Sequence, residues 1–376
     1  MTEQDSSKKI FCIVATSGIS LINFHGVFIS ELVALDFRVV CISIEPDAEI
    51  GKEVRALGAE YRQIAGDRTG IGVFSGIRMI AAYTKFFKSL KPDYCFLYMS
   101  KPIAFGGIAA IRSKVKHINI LVNGLENAYY RTGLKDVIVR LVMSNFYRHV
   151  AKHADNIFFL NPDDRNYFFS HKMLSKDNGT VVPGDGVDME HFARTDLPKE
   201  PVILMTARLL WSKGIREFLE AVKIVKQKNP AVKVLLVGGL DDNDEALGEE
   251  DLERYIKEYD IEYCGFARDV RPYLHRCSIF VLPSYHEGLP RSVIEAMSVG
   301  RAIITTDVPG CRETTENDVN GFIVPARNST TLAEKLQLLV RDAELRERMA
   351  NKSYELCRKR FEVHKANSTL FQKMFD

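Results

Sequence analysis

Residues 281 to 310, VLPSYHEGLPRSVIEAMSVGRAIITTDVPG, hold two carboxylates, Glu287 and Glu295, with seven residues between them. The apolar run IFVLP (279 to 283) reads as a strand and the segment from Pro290 to about Gly300 as a helix, so Glu287 and Gly288 fall in the connecting loop. Pro290 suits the first helical turn, and Glu295 follows about a turn and a half inside the helix. Loop amides around Gly288 and Leu289 are donors at a helix start, where an anion is favoured. The carboxylates are acceptors for hydroxyls at two separate places. A ligand with hydroxyls at each end and phosphates between matches this layout, and a nucleotide sugar has that form.

A second group, TARLLWSKGIREFLEA (206 to 221), places Arg208 at a strand end and Lys213 just before Gly214 and a helix. Arg offers a planar fork and Lys a point charge, a pair suited to a diphosphate, although two surface cations are also commonly just solvated. Trp211, the only tryptophan, is either an aromatic wall for a sugar or a cover over apolar surface. The first loop, TSGISLINFHG (16 to 26), sets Ser17 and Gly18 before a helix start, where backbone amides can meet an anion or simply form a tight turn. It is not GxGxxG, and an acid follows the second strand only if Glu45 fills that role, so nicotinamide binding is disfavoured.

Positioning these groups takes a parallel α/β framework. Strand candidates are 10 to 15, 38 to 44, 94 to 99, 117 to 122 and 156 to 160, then 202 to 207, 233 to 239, 279 to 283 and 302 to 306. Helices fill the gaps, including 213 to 229, 249 to 259, 268 to 276 and 290 to 299. Buried strands alternating with crossover helices predict two Rossmann-like, doubly wound domains facing across a cleft, with ligands at the carboxyl ends of strands. The 376 residues suit two domains of about 150 to 200 each. The expected division is 1–195, 196–358, and a C-terminal helix at 359–376 packing back on the first domain.

Hydrophobic content of 46% and charged content of 27% are those of a soluble globular chain. No apolar run reaches the roughly 20 residues of a membrane span, and MTEQDSSKK lacks a secretory apolar stretch, so a cytoplasmic protein is expected. Seven scattered cysteines without a CxxC pair suggest neither disulfides nor zinc. His149 and His153 lie four apart without the Glu of HExxH, so no metal site is expected. Net charge is +2, yet residues 68 to 152 hold fourteen Lys or Arg against three acids, an anion-facing block in a near-neutral chain.

ARLLWSKGIREF, SYHEGLPRSVIEAMSVGRAIITTDVPGCRE and NDVNGFIVP resemble the retaining glycosyltransferases of family four, of the two-Rossmann B type (GT-B), and PGDGVDMEHF (183 to 192) looks like that family's linker. The resemblance implies that Glu287 contacts the transferred sugar, Glu295 holds the ribose, and Arg208 and Lys213 bind the diphosphate. Gly288, Leu289 and Pro290 then belong to the donor loop, with Ser17 and Gly18 facing the donor from the other domain. MSKPIAFGGIAA (99 to 110) and LVNGLENAYY (121 to 130) are similar to a subgroup that extends saccharides on polyprenyl diphosphate, including N-acetylgalactosamine addition in bacterial N-glycan assembly. Asn23, His25, Lys101, Asn123 and Glu126 are the implied acceptor-side residues, with Lys101 leading for the acceptor phosphate. His25 stands where such proteins often carry Arg.

Residues 131 to 152 put Leu134, Val137, Ile138, Leu141 and Val142 on one stripe, with Lys135, Arg140, Arg148 and Lys152 around it. This is either a core-packing helix with a basic outer face or, with the basic helix at 73 to 90, a surface for an anionic membrane. The implied reaction moves a hexose or N-acetylhexosamine from a UDP-sugar to a polyprenyl-diphosphate-linked sugar at the cytoplasmic face of the inner membrane, with retention. Arg208, Lys213 and loop amides carry the leaving charge without a metal or other cofactor, and Asp241-Asp242 reads as a loop cap. An epimerase of the same architecture is the rival enzyme. A nucleic-acid-binding role lacks any recognisable RNA-binding signature.

Overall fold

The structure is a computed structural model in which residues 8–64, 73–125, 129, 133–174, 178–241 and 246–376 are described. The chain divides into two compact units, Met1–Asp185 with Ala366–Asp376, and Gly186–Lys365. In the first unit the strands are β1 (Ile10–Val14), β2 (Arg38–Ser43), β3 (Glu60–Gln63), β4 (Tyr94–Tyr98), β5 (His117–Val122), β6 (Asn156–Phe159) and β7 (Gly179–Val181). Its helices are α1 (Gly18–Asn23), α2 (Gly26–Ala34), α3 (Asp47–Ala56), α4 (Val73–Leu90), α5 (Gly107–Arg112), α6 (Leu134–Ala151) and α7 (Pro162–Ser170). The second unit carries β8 (Val202–Thr206), β9 (Lys233–Val237), β10 (Glu262–Tyr263), β11 (Ile279–Leu282), β12 (Ala302–Thr306) and β13 (Gly321–Val324). Its helices are α8 (Ile215–Lys228), α9 (Glu249–Tyr259), α10 (Arg271–Arg276), α11 (Arg291–Ser298), α12 (Ser329–Arg341) and α13 (Ala343–Arg360), and α14 (Val363–Phe375) returns to the first.

Both sheets are parallel, ordered β3-β2-β1-β4-β5-β6-β7 and β10-β9-β8-β11-β12-β13. Strands β4, β8 and β12 are buried along their whole length, as a sheet covered on both faces requires. Strand order reverses between β1 and β4 in the first sheet and between β8 and β11 in the second. Loops leaving those strands diverge to opposite faces, opening a crevice where open α/β sheets take ligands. Ser17, Gly18 and Lys101 follow the first pair of strands, and Arg208, Lys213 and Glu287 follow the second.

The first unit closes at Asp185, earlier than the expected boundary at 195. Residues after it are fastened to the second unit: Val187 N–H donates to Phe361 O at 2.7 Å, and Ser298 Oγ donates to Phe192 O at 2.8 Å. The fully buried Arg301 donates to Thr195 O at 3.0 Å. At the far end the second unit runs on to Lys365, past the expected limit at 358, and only Ala366–Asp376 joins the first. There Phe371 stacks on Phe28 at 5.1 Å and Phe375 on Phe37 at 5.2 Å. Such aromatic pairs each add about 0.5–1.5 kcal/mol beyond area burial.

Candidate functional site

Two loops of the second unit bring the strongest pair together. Lys213 closes a 3-10 turn, Trp211–Lys213, after β8, and its Nζ lies 2.6 Å from Glu287 Oε1 in the loop after β11. Ser284 Oγ donates to the same carboxylate oxygen at 2.7 Å. Both charged groups are largely shielded, so their attraction exceeds that of a surface pair, and lysine and serine together aim the carboxylate. Two glycines permit the approach. Gly214 sits at φ 73°, and a Cβ there would lie 2.0 Å from Pro283 O; Gly310, at φ 81°, would meet Glu287 O at 2.3 Å. Glu287 N–H then donates to Pro309 O at 3.1 Å, fixing its backbone on the loop after β12.

Arg208, 64% exposed, reaches Asp241 Oδ2 at 3.2 Å, so Asp241 holds an arginine. Asp242 lies outside the described residues. Pro290 is the N-cap of α11 with φ −72°; lacking an N–H, it shapes the loop of Gly288 and Leu289 but donates no hydrogen bond. Glu295, within α11, accepts from Arg291 Nε at 3.1 Å. Burial pushes its carboxyl above the usual range, and Arg291 works against that shift. Trp211 packs against the core, with Arg216 stacked over its indole at 4.9 Å, which favours the covering role.

The first unit is organised differently. Gly18 N–H donates to the Glu45 carboxylate, so Glu45 acts on the loop after β1 and no phosphate takes that amide without displacing it. Ser17 precedes α1, and its carbonyl accepts from Ser20 Oγ. Asn23 is exposed at the end of α1. His25, expected on the acceptor side, is enclosed: its ring is 2% exposed, packs on Tyr98 at 4.2 Å, and its Nδ1 lies 3.6 Å from Asp185 Oδ1. Asn123 Oδ1 accepts from Met99 N–H at 3.1 Å, supporting Met99 at φ 69° just before Lys101. Lys101 leads into a π-helical turn, Pro102–Gly106, and Glu126 lies outside the described residues.

Leu134, Ile138, Leu141 and Val142 on α6 are 79, 54, 60 and 48% exposed, while Tyr147 and Val150 of the same helix are buried. The stripe therefore faces outward, not into the core. Ile77 on α4 is also exposed, and Phe105 lies between Gly76 of α4 and Phe146 of α6, joining the two helices through one core. Among the described residues no helix is long and apolar enough to cross a membrane. A cavity of about 360 Å³ elsewhere in the second unit, bounded by Arg194, Pro198, Arg346 and Asn351, contains none of the candidate groups.

Residues 188–356 match the family described as Glycosyl transferases group 1. The chain is 30% identical over 348 residues to the N,N'-diacetylbacillosaminyl-diphospho-undecaprenol alpha-1,3-N-acetylgalactosaminyltransferase of Campylobacter jejuni, covering 89% of this chain and 90% of that one. It is 25% identical to the UDP-Gal:alpha-D-GlcNAc-diphosphoundecaprenol alpha-1,3-galactosyltransferase of Escherichia coli, over 68% of each chain. Anabaena HepE in complex with UDP shares the fold, at TM-score 0.76 and 16% identity over 97% of this chain and 98% of that one. With the family match, the coverage of the Campylobacter relative and the two parallel α/β sheets, the chain belongs to the group 1 glycosyltransferases, of GT-B fold.

Proposed function

We propose that this glycosyltransferase moves a hexose or N-acetylhexosamine, N-acetylgalactosamine first among them, from a UDP-sugar to a hydroxyl of a polyprenyl-diphosphate-linked saccharide, with anomeric configuration retained. The observation that carries the reading is the Lys213–Glu287 pair at 2.6 Å at the sheet's switch point. The acceptor class is supported by relatives named for diphospho-undecaprenol substrates, and the UDP donor by the galactosyltransferase named for UDP-Gal.

As the anomeric C–O bond breaks, positive charge develops on the sugar ring and negative charge on the departing diphosphate. Arg208 and Lys213 stabilise the leaving charge, so the chain's own cations do what a divalent ion would otherwise do. Glu287, aimed by Lys213 and Ser284, accepts from sugar hydroxyls rather than attacking carbon. Glu295, clamped by Arg291, takes the ribose hydroxyls. The acceptor hydroxyl attacks from the face the diphosphate leaves, and its proton passes to the leaving phosphate oxygen.

The exposed apolar stripe of α6 and the surrounding Lys135, Arg140, Arg148 and Lys152 suit an acidic bilayer surface, where a lipid-linked acceptor would be anchored. This supports a peripheral position on the cytoplasmic face of the inner membrane. Retention on acidic liposomes but not on polynucleotide at moderate salt is expected.

The deciding experiment measures nucleotide release over a panel of UDP- and GDP-sugars, with and without a polyprenyl-diphosphate-linked monosaccharide. Release that requires the acceptor supports transfer. Conversion of the donor without acceptor would mean an epimerase.

A further inference from the structure

We propose that Tyr285, held between Glu217 and Arg327, is a positioning residue for transfer: it locks the loop carrying Glu287 onto the turn carrying Lys213. The inference rests on the roles proposed for those two residues and adds one for an uncharged side chain beside them.

Three loops meet at this phenol. Its hydroxyl lies 2.8 Å from both carboxylate oxygens of Glu217, in the first turn of α8 and 6% exposed. A carboxylate this deep is costly unless hydrogen-bonded, so the bond ties the start of α8 to the loop after β11. Tyr285 N–H also donates to Ser212 O at 2.9 Å, one residue before Lys213. From the loop after β13, the Arg327 guanidinium lies 4.0 Å above the Tyr285 ring. Arg327 has φ 59°, a conformation disfavoured for a residue bearing a side chain and retained where surrounding contacts hold it.

The consequence is geometric. Lys213 and Glu287 come from strands that are neighbours in the sheet, but both sit beyond the strand ends, where ladder hydrogen bonds no longer fix them. Beside the Glu287 N–H bond to Pro309 O, backbone and side chain of Tyr285 tie the two segments to each other, two residues from Glu287. Burial first, and then the Glu217 carboxylate, push the phenol up to about 12, so it remains a donor wherever the enzyme works. A positioning group of this kind acts on the charge-separated step rather than on ground-state binding.

The test uses the full chain with the UDP-sugar and acceptor that the release panel selects, and UDP binding by calorimetry as an activity-independent readout. Tyr285→Phe is expected to lower kcat about tenfold while leaving the donor KM and the UDP affinity within about twofold of wild type. Glu217→Ala should match it, Glu217→Gln, which still accepts from the phenol, should recover most of the rate, and the double variant should be no worse than either single one. A kcat within about twofold of wild type, or a loss that appears in KM and UDP affinity instead, would overturn the proposal. Glu287→Gln, run alongside, separates the two readings. If it is inactive while Tyr285→Phe is normal, only the positioning role fails; if it is active, the site assignment itself fails.

Discussion

At their switch points the two sheets present opposite kinds of surface. In the second unit, polar side chains are linked: Lys213 to Glu287, Arg208 to Asp241 and Tyr285 to Glu217 between separate segments, and Arg291 to Glu295 within α11. In the first unit the corresponding groups turn inward: Gly18 is engaged by Glu45, and His25 is buried against Tyr98 and near Asp185. What it shows outward is the apolar face of α6. On the proposed function, the contrast is a division of labour. A small, highly charged donor needs a rigid polar frame whose charges are already oriented. An acceptor anchored in lipid needs only to be met at a surface, with few preset polar contacts.

The comparison breaks most readily at Lys213. Lys213→Ala leaves Glu287 without its lysine partner and the leaving group without a point charge, so kcat should fall at least about 100-fold in the release assay. Combined with Glu287→Gln it should cost little more, because the two act as a unit. Next in size, Leu134→Ser with Ile138→Ser and Leu141→Ser should weaken binding to acidic vesicles at least about tenfold in a sedimentation assay. Transfer to a water-soluble acceptor analogue should be unchanged by that triple substitution. If instead it abolished transfer in solution while the protein stayed folded, α6 would belong to the site rather than to a membrane face.

Arg208→Ala should raise the donor KM by about tenfold and the kcat effect should be smaller than that of Lys213, since Arg208 is the more solvated cation. The smallest effect concerns pH. Burial holds Glu295 above the usual carboxylate range, so as pH falls the donor KM should begin to rise earlier than for an ordinary glutamate. Glu295→Gln should flatten that rise. Stability should respond in the opposite sense: the folded state holds this proton more tightly than the unfolded chain, so the contribution is present at acid pH and lost as pH rises through the raised value. A Tm-versus-pH series of wild type against Glu295→Gln measures it.

The site's frame was legible because its signals are local. Strands β1, β4, β8 and β11 are dense apolar runs, and Arg208, Lys213 and Glu287 follow them within a few residues. Strands β3, β7, β10 and β13 were not anticipated; they are short and lie in the outer parts of the sheets, where little apolar pattern is required. The first unit ends at Asp185 rather than near 195 because Val187, Phe192 and Thr195 are held by Phe361, Ser298 and Arg301, partners that no local pattern announces. Glu45 on Gly18 and Glu217 on Tyr285 escaped for the same reason. His25 reads as a polar loop residue from its neighbours, and only tertiary packing shows its ring enclosed by Phe28, Phe96 and Tyr98.

In the proposed function Glu287, oriented by Lys213, serves sugar transfer from a nucleotide donor. Its most direct test is acceptor-dependent UDP release by Glu287→Gln, with circular dichroism and UDP calorimetry confirming a folded, nucleotide-binding protein. Loss of turnover by about 100-fold or more with UDP affinity retained is the predicted result. Turnover within a few-fold of wild type would contradict the account.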